Sequence, residues 1–249
     1  MITSWFKNIG PGPLVAAAFI GPGTVTLCTV AGVDFGFALL WAMVLSIVAT
    51  IVLQEMSARL GIISQKGLAE IIRTEIKNPL FKGLSIVLIL SAIVIGNAAY
   101  EAGNISGGVL GLEAVLGRHS VDIGSFSLNY FSVAIGLVAF ILLYIGNYKI
   151  LEKALVSLVI LMSVAFIVTA IMTKPNLGEV FKGVLIPKFP DDSILIIIGL
   201  IGTTVVPYNL FLHASLVKEK WKSKTDLKYA RKDTIVAVVL GGIVSMCII

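Results

Sequence analysis

Charge is scarce in this sequence. Only 13% of the 249 residues are Asp, Glu, Lys or Arg, about half the share of an ordinary soluble domain. That scarcity excludes a disordered chain, which needs solvating charge, a nucleic-acid-binding domain and most soluble enzymes. The 19 Lys and Arg against 14 Asp and Glu give a net charge of +5, but the excess is clustered. Cysteine is nearly absent: Cys28 and Cys247 lie far apart in apolar runs, so no disulfide framework is readable. No nucleophile–base pair and no cluster of metal-ligating side chains is readable either. An enzyme is not expected, and no cofactor is implied.

Apolar residues fill the space that charge leaves. The hydrophobic fraction is 57% and the mean hydropathy is +1.01. A membrane helix needs about 20 mostly apolar residues. The sequence predicts six complete spans, Pro11–Val33, Phe37–Leu60, Gly83–Leu116, Leu128–Asn147, Ile150–Met172 and Ser193–Val217. A seventh begins near Thr234 and is still apolar at Ile249, which reads as a piece of a longer protein. The first segment is not a cleavable signal, because it lacks a basic start and further spans follow. The chain reads as one all-α, multi-pass transmembrane domain over 1–249, with the lipid bilayer as its partner and the plasma membrane as its expected location. Oligomeric state is not legible.

The loops agree. Gly61–Lys82 is amphipathic with Pro79 as a breaker, Gly117–Ser127 is short, and Thr173–Asp192 reads as an ordered loop carrying three prolines. Placing the N-terminus in the cytoplasm puts 15 Lys and Arg inside, Lys7, Arg59 and the run from Lys218 to Lys232 among them. Only Arg118, Lys174, Lys182 and Lys188 fall outside, as the positive-inside rule requires.

Two spans carry breakers in their middles. The first holds Ile20-Gly21-Pro22-Gly23-Thr24, predicting a break over 21–24. The sixth holds Val205-Val206-Pro207-Tyr208-Asn209 after Gly202-Thr203-Thr204, predicting a break over 206–209. Proline removes a donor and clashes with the preceding turn, and glycine weakens the helix further. The breaks lie five helices apart. Transporters built from inverted repeats interrupt helices near the bilayer midplane, where freed carbonyls coordinate cations. The two stretches share no detectable identity, so the repeat rests on position alone.

Several blocks then resemble one family. They are Gly10-Pro11-Gly12, Gly36-Phe37-Ala38-Leu39-Leu40-Trp41, Gln54 through Ile62, Gly67-Leu68-Ala69-Glu70, Pro207 through Ser215 and Arg231-Lys232-Asp233-Thr234. In that order they resemble the natural resistance-associated macrophage protein (NRAMP) family of proton-coupled divalent-metal transporters. The resemblance implies a leucine-transporter-like fold of two inverted five-helix repeats, of which this chain would hold the first and the start of the second. It also implies a secondary transporter of a metal cation working by alternating access, with protons as a candidate second substrate. An amino-acid transporter of the same fold, or a non-transporting scaffold or sensor, stays open.

The chain departs from the family at its metal site. The family's Asp-Pro-Gly-Asn is here Gly21-Pro22-Gly23-Thr24, and its Met-Pro-His-Asn is Val206-Pro207-Tyr208-Asn209. The resemblance leaves as ligands only backbone carbonyls near Ile20, Gly21 and Thr203. A divalent ion then needs retained water or another group, and the preference of a soft sulfur for transition metals is lost with Val206. The candidate pathway residues are Gly21, Gly23, Thr24, Thr203, Val206, Tyr208 and Asn209. Glu101, inside an apolar stretch, is a candidate for proton or cation coupling, or a buried carboxyl bonded to Asn97 or Asn104. Aligning on Gly103 instead puts Tyr100 at a family acidic position. His213 matches a family His, in either a coupling or a structural role. Thr26 reads as a neutral oxygen donor or as a hydroxyl bonded back to a backbone carbonyl, Cys28 as a soft ligand or a small buried residue, Asp34 as a cap before Gly36, and Glu55 with Arg59 as an ion pair or a latch.

Overall fold

The computed structural model describes residues 10–117, 120–123, 126–146 and 148–249. Lys7, Arg118, His119 and Asn147 lie outside them. The first span is two helices, α1 (Gly12–Phe19) and α2 (Pro22–Phe35). A 3-10 turn at Gly36–Leu39 leads into α3 (Leu40–Ser64). Then come α4 (Leu68–Glu75), α5 (Pro79–Leu116) and a hairpin of β1 (Ser120–Ile123) with β2 (Phe126–Asn129). The remainder is α6 (Tyr130–Ile145), α7 (Tyr148–Met172), α8 (Leu177–Leu185), α9 (Ile194–Thr204), α10 (Pro207–Lys220) and α11 (Leu227–Met246).

Both interruptions fall earlier than the sequence pattern places them. The unwound residues are Ile20–Gly21 and Val205–Val206, while Pro22 and Pro207 open the following helices. The reason is local: the first helical position has no intrahelical N–H bond to lose, and proline's fixed φ suits it. Pro79 likewise opens α5, where the Asn78 side chain accepts from the Leu80 and Phe81 amides. Asp34 does not cap; it lies exposed within α2, and Gly36 ends that helix at φ 54°. The 117–127 connection contains strand pairing, and the 173–192 loop contains α8.

Among the described residues four stretches are long and apolar enough to cross a membrane, Pro22–Ser64, Pro79–Leu116, Lys153–Met172 and Ile194–Lys220; Tyr130–Ile145 is shorter. Their packing crosses over. α1 lies against α10, α2 against α9, and α3 runs alongside α9, α10 and α11. One apolar cluster, including Phe19, Ile20, Ile47, Val206 and Val238, seals both breaks against α3 and α11. Lipid tails are as apolar as leucine, so close packing and not transfer from water holds such helices together. Glycines sit at the crossings accordingly. A Cβ on Gly61 would strike the Ala214 carbonyl of α10, and one on Gly242 would strike Ile47.

Candidate functional site

The two breaks have the same backbone. Ile20 ends α1 at φ −92°, ψ 78°, and Val205 ends α9 at φ −87°, ψ 78°. Each is followed by one extended residue, Gly21 or Val206, and then by proline at the start of the next helix. Helix ends leave carbonyls without intrahelical partners. At these breaks side chains donate to end carbonyls and to one a turn further back. Thr24 Oγ1 donates to the Phe19 carbonyl at 2.5 Å, Tyr208 Oη to Ala18 at 3.1 Å, and Asn209 Nδ2 to Val15 at 3.3 Å. Across the site, Tyr100 Oη donates to the Thr203 carbonyl at 2.9 Å. The carbonyls of Ile20 and Val205 accept no hydrogen bond among the described residues.

The candidate residues are therefore gathered, though in unequal roles. Gly21, Thr24, Thr203, Tyr208 and Asn209 all meet at the breaks. Space is open around Gly23. Val206 is buried in the apolar cluster and offers only its backbone. Thr26 bonds back to the Pro22 carbonyl at 2.9 Å, and Cys28 packs in a second apolar cluster with Met43 and Leu200.

Glu101 does not face the breaks. Its side chain is exposed on this chain's surface, while Tyr100, one residue earlier, turns inward and packs edge-on against the Tyr208 ring with centroids 5.9 Å apart. Asn97 and Asn104 share the inward face with Tyr100, at helical spacings of three and four. Each has a buried side-chain oxygen without a hydrogen-bond partner among the described residues, as does Asn209.

His213 is fully buried. Its Nδ1 lies 2.8 Å from Gln54 Oε1 and its Nε2 lies 3.5 Å from Thr234 Oγ1. Gln54 belongs to a buried polar stripe along α3, Ser46, Thr50, Gln54 and Ser57, that the sequence reading missed. The signal was present as polar residues spaced four, four and three within an apolar helix. Ser57 donates to the Leu210 carbonyl, while the hydroxyls of Ser46 and Thr50 have no partner among the described residues. The stripe leads from the bundle's middle toward the end that carries the basic loop. There Glu55 holds Arg231 at 2.6 Å more closely than Arg59 at 3.6 Å, tying α3 to α11. Asp233 accepts from the Gly10 and Gly12 amides at 2.9 and 2.7 Å and so anchors the start of α1. Burial pushes its carboxyl above the ordinary value, against the two amides and Lys220, which pull it down.

Among the described residues no group of three or more His, Cys, Asp or Glu is placed to hold a metal ion. What converges at the breaks is neutral oxygen: peptide carbonyls, hydroxyls and carboxamides. Such donors suit hard cations.

Comparisons with known proteins fit this architecture. A profile of the family described as natural resistance-associated macrophage protein-like matches residues 12–249. A divalent metal cation transporter MntH of Verminephrobacter eiseniae is 28% identical over 247 residues, covering 96% of this chain and 54% of the relative. The protein of the same name from Bacillus subtilis is 29% identical over 244 residues, covering 95% and 55%. The chain thus spans about half the length of the curated relatives it matches. The crystal structure of the Eremococcus coleocola manganese transporter with an aromatic bis-isothiourea compound superposes with a TM-score of 0.76. It is 24% identical and covers 99% of this chain and 51% of that one. That likeness establishes the leucine-transporter-like fold.

Proposed function

This chain belongs to the natural resistance-associated macrophage protein-like family, and from that premise we propose that it forms the metal-handling half of a secondary transporter for a divalent cation. The relatives it matches carry the name divalent metal cation transporter. One observation carries the reading: at two interruptions of matching backbone geometry, where α1 packs on α10 and α2 on α9, the Ile20 and Val205 carbonyls accept no hydrogen bond among the described residues. Paired broken helices of this kind hold ions in transporters of inverted-repeat design, and rocking of one bundle against the other exposes the site to each side in turn.

The ligand chemistry narrows the cation. With no carboxylate or thioether side chain at the breaks, nothing there favours a soft transition metal over a hard ion. A hard ion that keeps part of its hydration shell, such as magnesium, fits neutral oxygens better. The N-terminus lies in the cytoplasm on this reading, because the basic run from Lys218 to Lys232 then faces inward.

The test is uptake of manganese, magnesium and sodium into proteoliposomes containing the full-length protein, with and without a pH gradient. Saturable divalent uptake is expected, with magnesium competing effectively against manganese. A proton requirement would show as stimulation by an inward acid gradient. Uptake of an amino acid with no ion flux would replace the cation reading with solute transport, and inertness to every solute would mark a scaffold.

A further inference from the structure

Gly21 and Asn104 occupy adjoining space. A Cβ built on Gly21 would lie 3.1 Å from Asn104 Oδ1. That oxygen is buried and has no hydrogen-bond partner among the described residues, although it sits beside the unwound Ile20–Gly21 segment. An unpaired buried amide oxygen costs about 1–3 kcal/mol, and a bilayer interior supplies no water to relieve it. A group held in that state at a helix break is positioned for something that comes and goes.

The orientation of the carboxamide is set from its other side. Asn104 Nδ2 donates to Glu101 Oε2 at 3.4 Å. With its nitrogen donating to Glu101, the amide turns its oxygen to the break. Glu101 does not reach the break; it acts through Asn104. We infer that Asn104 supplies a neutral side-chain oxygen to the cation at the first break, and that Glu101 is the positioning residue that keeps that oxygen turned inward. Asn97 Oδ1 on the same face of α5 and Asn209 Oδ1 at the second break are likewise buried and without a partner among the described residues. The side-chain oxygens offered to the ion are therefore carboxamides, whose hard donor character selects oxygen-seeking cations. This assignment rests on the reading that a cation passes the breaks.

Calorimetric binding of magnesium and of manganese to the purified protein tests it, alongside uptake into proteoliposomes. Asn104→Ala is expected to weaken magnesium binding by about tenfold or more, on the scale seen when a metal site loses a supporting group. Asn104→Asp, which adds charge at the same atom position, is expected to tighten it beyond wild type. Glu101→Gln, whose amide can donate as well as accept, is expected to weaken binding by about tenfold with an unchanged melting temperature in ion-free buffer. Glu101→Asp is expected to restore it. If Asn104→Ala does not fold, Asn104→Asp decides, and affinity no tighter than wild type overturns the assignment. Wild-type binding and uptake that Asn104→Ala leaves untouched overturns the role of Asn104 alone. Absence of any divalent binding or uptake by the wild type overturns the cation reading and this assignment together.

Discussion

The Tyr100 hydroxyl of α5 donates to the Thr203 carbonyl in the last turn of α9, at 2.9 Å. By resemblance, that carbonyl is the backbone ligand the family offers to its metal. Here a phenol occupies it. Tyr100→Phe would release the oxygen without emptying the space of the ring. The variant should melt lower in ion-free detergent, by an amount reflecting about 1–3 kcal/mol for an unpaired buried acceptor. Added magnesium should then raise its melting temperature more than it raises that of wild type, because the freed carbonyl can bind the ion. Equal ion-induced shifts in the two proteins would show that the Thr203 carbonyl lies off the ion's route.

Gln54 is the buried partner that holds the His213 ring, at 2.8 Å between Oε1 and Nδ1. Gln54→Leu keeps most of the volume and removes the partner, leaving a buried ring nitrogen unpaired. Thermal unfolding should show a loss of about 1–3 kcal/mol. Gln54→Glu retains an acceptor and should lose less. If both variants melt like wild type, the histidine has another partner in solution.

Close approach of α3 to α10 depends on Gly61, whose missing side chain makes room for the Ala214 carbonyl. The obstacle is backbone, so it cannot rotate away. Gly61→Leu should force the helices apart and cost at least the 1–3 kcal/mol that is typical of overpacking (about that range in soluble cores). Gly23→Ala, where nothing lies within 4 Å, serves as the tolerated control. The check is monodispersity and melting temperature of the two variants side by side.

The long apolar helices and the existence of both breaks were legible because long apolar runs and mid-span prolines are strong, local signals. The positions of the breaks were not. Proline interrupts one helix and starts the next, and only the backbone shows that Pro22 and Pro207 belong to the start. Facing was harder still. One residue turns a helical side chain by about 100°, enough to carry it from the bundle's interior to its outside. Asn97 and Asn104 lie three and four residues from Tyr100 but four and three from Glu101, so the helical period did not choose between them. Spatial pairings such as Tyr100 with Thr203, or Arg231 with Glu55, join residues more than 100 positions apart. Nothing in the local pattern encodes them. The hairpin over 120–129 went unseen because four-residue strands carry little alternation.

Glu55 bridges Arg231 and Arg59 where α3 meets α11, and the arginine side chains are 49% and 43% exposed. Exposed pairs of this kind contribute little to stability, about 1 kcal/mol or less. Arg231→Ala should therefore leave the melting temperature nearly unchanged. Its effect should appear in opening at that end of the bundle, where α3 and α11 lose a link. A cysteine placed at Thr234, which is buried beside His213, should react with a thiol reagent faster in the Arg231→Ala background than with Arg231 intact. Equal rates would assign the ion pair no part in closing that end.

Asp233 gives a pH dependence whose sign follows from its setting. Burial raises its folded-state pKa above the ordinary value of 3.8, even against the Gly10 and Gly12 amides and Lys220. A raised acid pKa means that the folded state holds the proton more tightly than the unfolded chain does. Its contribution is then fully present below the unfolded pKa and is lost as pH rises through the folded one. Asp233→Asn cannot titrate and can accept through only one oxygen, so it should melt lower than wild type by the loss of one amide bond, about 1 kcal/mol. The gap between the two proteins should be wider in acid than at neutral pH, because only the wild type gains from protonation. Melting curves of both across that range, in the same detergent, measure it. A gap that narrows in acid would mean that the two amide bonds outweigh burial and hold Asp233 ionised at the start of α1.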